Sequence, residues 1–163
     1  MGITFDKKRM MKRKLLSILL WFGLIAFADT LKAQTNLENA LAEGFTPEEM
    51  ETLYLGVTPT NHKEYLKNKG FKYDKYNDGV YYYKKNQVVS LVVAFADSRV
   101  VALGFASSPQ KYYQAEQLLD KSYKKMSDVK ADGVIYKQWK KGELVFRADT
   151  ESYTILLAKE IDL

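Results

Sequence analysis

Residues 87–106 read QVVSLVVAFADSRVVALGFA, and their reading decides the fold. Two apolar runs, Gln87–Ala96 and Arg99–Ala106, flank Asp97-Ser98, a pair suited to a tight hairpin turn. Successive strand side chains point to opposite faces. Val89, Leu91, Val93 and Phe95 are therefore bulky on one face, with Val101, Leu103 and Phe105 in the partner strand. Val88, Ser90, Val92, Ala94, Ala96, Val100, Ala102, Gly104 and Ala106 form a face of lower relief. The pattern predicts one core face and one smooth outer face.

Working outward, Val80–Lys85 (VYYYKK) follows the turn signal Asn77-Asp78-Gly79 and reads as a strand. Further strands are expected over Gly133–Trp139, Glu143–Ala148 and Ser152–Ala158, with turns at Lys140-Lys141-Gly142 and Asp149-Thr150-Glu151. Three helix starts carry a cap followed by proline: Thr46-Pro47, Thr58-Pro59 and Ser108-Pro109. Glu49, three residues after Thr46, completes a capping box for a helix over about 47–54. Gly56 ends that helix, and Gly70 ends the second near residue 69. The third runs to about Met126, with Tyr112, Ala115, Leu119, Tyr123 and Met126 as its apolar stripe.

Two halves of the chain show matching segments. Lys69–Lys72 aligns with Lys121–Lys124, Asp78–Tyr82 with Asp132–Tyr136, and Val92–Asp97 with Leu144–Asp149. Each half reads as a helix and three strands, and a unit this small hides its apolar face only against a neighbour. Duplication and chance similarity of two αβββ patterns both account for the match. The expected architecture is α+β: helices on one face of an antiparallel sheet, with a tandem αβββ repeat over 59–107 and 108–158. Residues 34–58 form a lead-in with a short helix, and 59–163 a single domain.

Leu55-Gly56-Val57-Thr58, the helix end Leu66–Phe71, the run of strands, the second helix and the strand carrying Trp139 together resemble the secreted β-lactamase-inhibitor-like (BLIP-like) α+β proteins. The Leu-Gly-x-Thr opening is also similar to that of small outer-membrane assembly lipoproteins of the same fold. The resemblance covers roughly residues 53–158 and implies helices on one side of an antiparallel sheet and a protein-binding habit. It carries over no target and no binding residue. The anchoring cysteine of the lipoproteins and the paired cysteines of the inhibitors have no counterpart, since the chain has no cysteine.

The N-terminal 33 residues read as an address. Six basic residues over Lys7–Lys14 precede the apolar run Leu15–Ala28, and small-residue exits follow at Ala26–Ala28 and Leu31–Ala33. This order is that of an export signal. The run has 14 residues, short of the roughly 20 that span a bilayer. Cleavage after Ala33 or Ala28 would leave no stable membrane anchor, and the expected location is periplasmic or extracellular. Seven of the 25 basic and two of the 20 acidic side chains lie in residues 1–33, leaving 18 of each in 34–163. A neutral body lacks the basic footprint of a nucleic-acid binder. About 130 residues suffice for one domain that buries roughly two thirds of its chain surface.

Catalytic signals are weak. His62 is the sole histidine, no Gly-x-Ser-x-Gly turn accompanies it, and its helical spacing to Leu66 places it at the core edge. Asp74, Asp78, Asp128 and Asp132 sit in turn contexts that explain them without chemistry. Lys72–Gly79 (KYDKYNDG) departs from a calcium loop at Tyr76 and Gly79. No catalytic residue, metal or cofactor is assigned. Tyrosine is the notable residue type, with 12 in all. Tyrosine combines large contact area with a polar tip, which suits recognition. Tyr73, Tyr76, Tyr82, Tyr83 and Trp139 are the candidate partner-binding residues, Trp139 being read as outward-facing. The expected function is docking of another protein of the cell envelope or exterior on an aromatic sheet surface, as an inhibitor or a scaffold. Two alternatives are a carrier holding a small apolar ligand between the low-relief face and the helices, and an envelope glycan-acting enzyme using paired carboxylates.

Overall fold

The computed structural model describes residues 45–85, 90–131 and 133–163. Residues 1–33, read as an export signal, and residues 34–44 lie outside the described residues, as do Asn86–Val89 and Asp132. The elements are α1 (Pro47–Gly56), α2 (His62–Asn68), β1 (Lys72–Asn77), β2 (Val80–Lys84), β3 (Ser90–Ala96), β4 (Arg99–Ala106), α3 (Pro109–Ser122), β5 (Lys124–Ala131), β6 (Val134–Lys141), β7 (Leu144–Asp149) and β8 (Thr154–Lys159), with a 3-10 turn over Glu160–Asp162. The chain is α+β, with one antiparallel eight-stranded sheet in the order β1-β2-β3-β4-β8-β7-β6-β5.

Local chemistry sets the ends of these elements. Thr46 and Glu49 form the expected capping box, with Thr46 N–H donating to Glu49 Oε2 at 2.8 Å and Glu49 N–H donating to Thr46 Oγ1 at 3.2 Å. Ser108 caps α3 by accepting from the Lys111 N–H. The second helix starts three residues later than its proline suggests. Thr58 and Asn61 bond each other reciprocally, Thr58 N–H to Asn61 Oδ1 and Asn61 N–H to Thr58 Oγ1, closing a turn before α2 opens at His62. Two hairpin turns have both central residues at positive φ, Asp78-Gly79 (46° and 85°) and Asp97-Ser98 (50° and 59°), as the right-handed strand twist favours.

Each half contains four strands after its helix, one more than the expected three. The additional strands are β1 and β5, the two sheet edges. β1 is exposed along its whole length and β5 along most of it. Neither has a core-facing apolar row, so neither carries the alternation by which strands are recognised. The Lys72–Gly79 segment is β1 and its turn, and the end of the expected third helix is the start of β5. Lysines at both edges discourage indiscriminate strand pairing.

The halves meet at β4 and β8, where Gly104 faces Leu156 with Ala102 opposite Ala158 and Ala106 opposite Thr154. The pairing is symmetric for an offset of 52 residues and defines an approximate two-fold axis normal to the sheet. Following the pairs outward, Val92 corresponds to Arg147 and Tyr82 to Gln138. The correspondence by sequence is therefore displaced by three residues in β3/β7 and by two in β2/β6. The four-residue turn Thr150–Tyr153 replaces the two-residue turn Asp97-Ser98 and accounts for part of the slip.

The bulky face expected of the β3–β4 hairpin is the core face except at Val101, which joins the opposite cluster while Val100 enters the core, where the pairing shifts register between Ala94 and Phe95. Leu91, Val93, Leu103 and Phe105 pack with Ile155, Leu157 and Phe146 beneath the helices. Met50, Leu53 and Tyr54 bring α1 into this same core, and Leu66, Tyr112, Ala115 and Leu119 bring α2 and α3. The opposite face is not the smooth exposed surface expected. Val80, Tyr82, Val92, Ala94, Ala102, Ala106, Tyr136, Leu156 and Ala158 form a second buried cluster there. Arg147 lies in this layer beside Gln138, whose Oε1 accepts from Arg147 Nε at 3.1 Å, and burial lowers the guanidinium pKa.

Candidate functional site: the aromatic edge

The five candidate residues separate into two groups. Tyr73 and Tyr76 are 46% and 54% exposed on β1. Tyr83 and Trp139 are buried under the helices at 1% and 0%, and Tyr82 is buried on the opposite face at 6%. The expectations that Tyr82 and Tyr83 form a surface and that Trp139 faces outward are corrected. In VYYYK, alternation sends Tyr82 away from the helices, but both sheet faces are buried there, so neither direction leads to solvent.

β1 positions the exposed pair. Tyr73 is opposite Tyr83 and Tyr76 opposite Tyr81, so both face the helix side despite their odd spacing. A register shift between Tyr73 and Lys75 supplies the extra residue that makes this so. Behind them is a second aromatic layer. Tyr73 meets Tyr83 with ring centroids 5.8 Å apart, Tyr76 meets Tyr81 at 4.7 Å, and Tyr81 packs on Phe95 at 5.6 Å. His62, from the first turn of α2, sits behind both, 4.4 Å from Tyr81 and 5.1 Å from Phe95. Its Nδ1 is hydrogen-bonded to the Tyr83 hydroxyl. Burial lowers the His62 pKa, with Lys63 adding to the effect, and burial raises that of Tyr83. His62 is thus a neutral brace of the aromatic stack. Lys63 completes the edge, its Nζ 5.0 Å from the Tyr73 ring centroid. No spacing rule links Lys63 to Tyr73; the approach of α2 to β1 brings them together.

Elsewhere the buried carboxylates are engaged. Asp162 is gripped by Arg99, Glu116 pairs with Lys137, and Asp149 accepts from Ser152 Oγ at 2.5 Å. These are the three buried carboxylates among the described residues. Asp74, in the segment weighed for calcium, pairs with Lys84 at 3.5 Å. No group of three His, Asp or Glu side chains among the described residues is arranged to hold a metal ion. A cavity of about 310 Å³ opens beside α1, lined by Phe45, Glu48, Glu49, Thr52, Leu53, Lys69, Phe71 and Lys85. It lies away from the low-relief face, which points away from the described helices, so among the described residues no ligand space lies between that face and the helices. No helix among the described residues is long and apolar enough to cross a membrane.

Comparison of the chain with protein-family models, with curated proteins and with solved structures returned no match.

Proposed function

We propose that this chain is an exported protein-binding module that docks a partner of the cell envelope or exterior through the β1 edge, acting sterically as an inhibitor or scaffold. One observation carries the reading: two exposed tyrosines, Tyr73 and Tyr76, lie on one face of a sheet edge and rest on an aromatic layer of buried Tyr83 and half-buried Tyr81. Large apolar side chains that are already ordered lose little conformational entropy on binding, which is what contact residues need. Export rests on the Leu15–Ala28 signal, and intact-mass measurement of the secreted form tests it by the loss of 28 or 33 residues.

Affinity capture from the protein's own cell envelope tests the docking. Tyr73→Ser with Tyr76→Ser abolishes capture of the partner and leaves the melting temperature unchanged. Capture that survives both substitutions overturns the proposal. A second reading, a carrier of a small amphipathic ligand, has the cavity between Phe45, Leu53 and Phe71 in its favour, with charged groups at its wall. At about 310 Å³ it stands at the lower end of ligand pockets. A bound small molecule in native mass spectrometry decides for that reading.

A further inference from the structure

The second helix is fastened to the rest of the fold by two buried side chains. Of its seven residues, His62 and Leu66 are buried. Leu66 is a permanent anchor, since its side chain cannot ionise. His62 can, and it is the anchor of the first turn. The groups that face its ring are Lys63 on its own helix, Tyr81 and Tyr83 on β2, and Phe95 on β3. β1 lies one layer further out, where Tyr73 packs on Tyr83 and Tyr76 on Tyr81. No carboxylate stands among these groups to stabilise a second ring proton, and the Lys63 charge opposes one.

The bond to Tyr83 sets the same preference. A neutral imidazole can accept the hydroxyl proton at Nδ1, whereas an imidazolium donates at both nitrogens and loses that acceptor. At 6% exposure the charged ring would also be largely out of water. Solvent is one helical turn away. A seven-residue helix is marginal on its own, and α2 has no side-chain cap bond at its start, so its first turn can lift while Leu66 holds the second.

We infer that His62 is an acid-sensitive latch of the aromatic edge: when its imidazole takes up a proton, the first turn of α2 leaves the sheet, Lys63 leaves Tyr73, and Tyr81 and Tyr83 lose the brace behind them. The latch deepens the protein-binding reading above and supplies its regulation, since docking on Tyr73 and Tyr76 then weakens in acid. The lifted form takes its proton near the ordinary value of 6.5, and the closed form only at lower pH. The lifted fraction therefore rises as pH falls below about 6.5, until the closed form also binds the proton.

Hydrogen exchange of the full chain, followed by mass spectrometry at about pH 7.5 and about pH 5 and corrected for the intrinsic pH dependence of exchange, tests the latch. Peptides covering 61–68 and 72–84 exchange about tenfold faster at the lower pH, while 99–106 and 154–159 at the sheet centre do not change. His62→Phe cannot ionise, and His62→Asn keeps an acceptor near the Nδ1 position. Both lose the acid response, and circular dichroism melting at neutral pH checks that each is folded, so the loss is read in whichever variant folds. No acceleration in the unaltered chain, an acceleration that survives in a folded variant, or an equal acceleration at the sheet centre each overturns the latch. If envelope capture at neutral pH requires Tyr73 and Tyr76 while exchange shows no acid response, the docking reading stands and the latch falls. If the acid response is present while capture survives both tyrosine substitutions, the latch stands and the docking reading falls.

Discussion

Tyr83 and Trp139 occupy equivalent positions in the two halves of the sheet, and each latches its strand to the helix above. Tyr83 is hydrogen-bonded to His62 of α2, and Trp139 Nε1 donates to Asp120 of α3 at 2.9 Å. That bond, with Lys125 nearby, holds the Asp120 carboxyl below its ordinary pKa. Both rings fill the core with their polar atoms satisfied, the condition under which Tyr and Trp are buried.

Stability therefore separates the inner from the outer aromatics. Tyr83→Ala and Trp139→Ala each lose about 3–5 kcal/mol, the cost of emptying a large core site. Tyr73→Ser and Tyr76→Ser each stay within about 0.5 kcal/mol, as exposed substitutions do. Urea unfolding of the four variants checks the division. Equal losses at Tyr73 and Tyr83 would contradict the layered arrangement.

His62 makes stability pH-dependent. Its folded pKa lies below the ordinary value of 6.5. Above that value both states are neutral and pH has no effect through this group. As pH falls below 6.5 the unfolded imidazole binds a proton that the buried one refuses, so stability declines until the folded pKa is passed. The melting temperature falls between about pH 7 and pH 5, and His62→Phe flattens that slope. The Phe variant also loses the bond to Tyr83, so the slope and not the baseline is the readout.

Arg99 and Asp162 form a two-pronged pair, Nη1 to Oδ2 and Nη2 to Oδ1, both at 2.6 Å. The Asp162 side chain is fully buried and that of Arg99 is 43% exposed. Removing the two partners is accordingly unequal. Arg99→Ala strands a buried carboxylate and costs about 3 kcal/mol. Asp162→Ala frees a guanidinium that solvent reaches and costs about 1–2 kcal/mol. The double variant resembles Asp162→Ala. A larger loss from Asp162→Ala than from Arg99→Ala is the contrary result.

Gly56 closes α1 without a left-handed backbone; its missing side chain is what the fold uses. A Cβ there overlaps the end of the Tyr65 ring, whose hydroxyl donates to Thr52 O at 3.3 Å. Gly56→Ala loses about 1 kcal/mol through overpacking. The loss shrinks when Tyr65 is also Ala. Thermal melting of the four-member cycle measures the coupling, and additive effects would rule the contact out.

Much of the fold was legible because its signals are local. The β3–β4 hairpin announced itself by alternation and a turn pair, α1 by its capping box, and α3 by its stripe. β1 and β5 escaped because edge strands bury nothing, and a strand without a buried row looks like a loop. The start of α2 was misplaced because Thr58-Pro59 serves a turn instead. At the candidate site, residue type singled out Tyr73 and Tyr76, which are exposed, together with Tyr82, Tyr83 and Trp139, which are buried, because local sequence does not separate the two groups.

The chain by itself determined the α+β class, most of the core face of the central hairpin, the caps of α1 and α3 and the neutral charge of residues 34–163, since these depend on neighbours within one turn or one alternation. Only the tertiary structure decided which aromatics reach solvent, how the halves register across Gly104 and Leu156, and that both sheet faces are buried. Exposure is a property of what packs over a side chain, and what packs over Tyr83 and Trp139 comes from helices about 20 residues away in sequence.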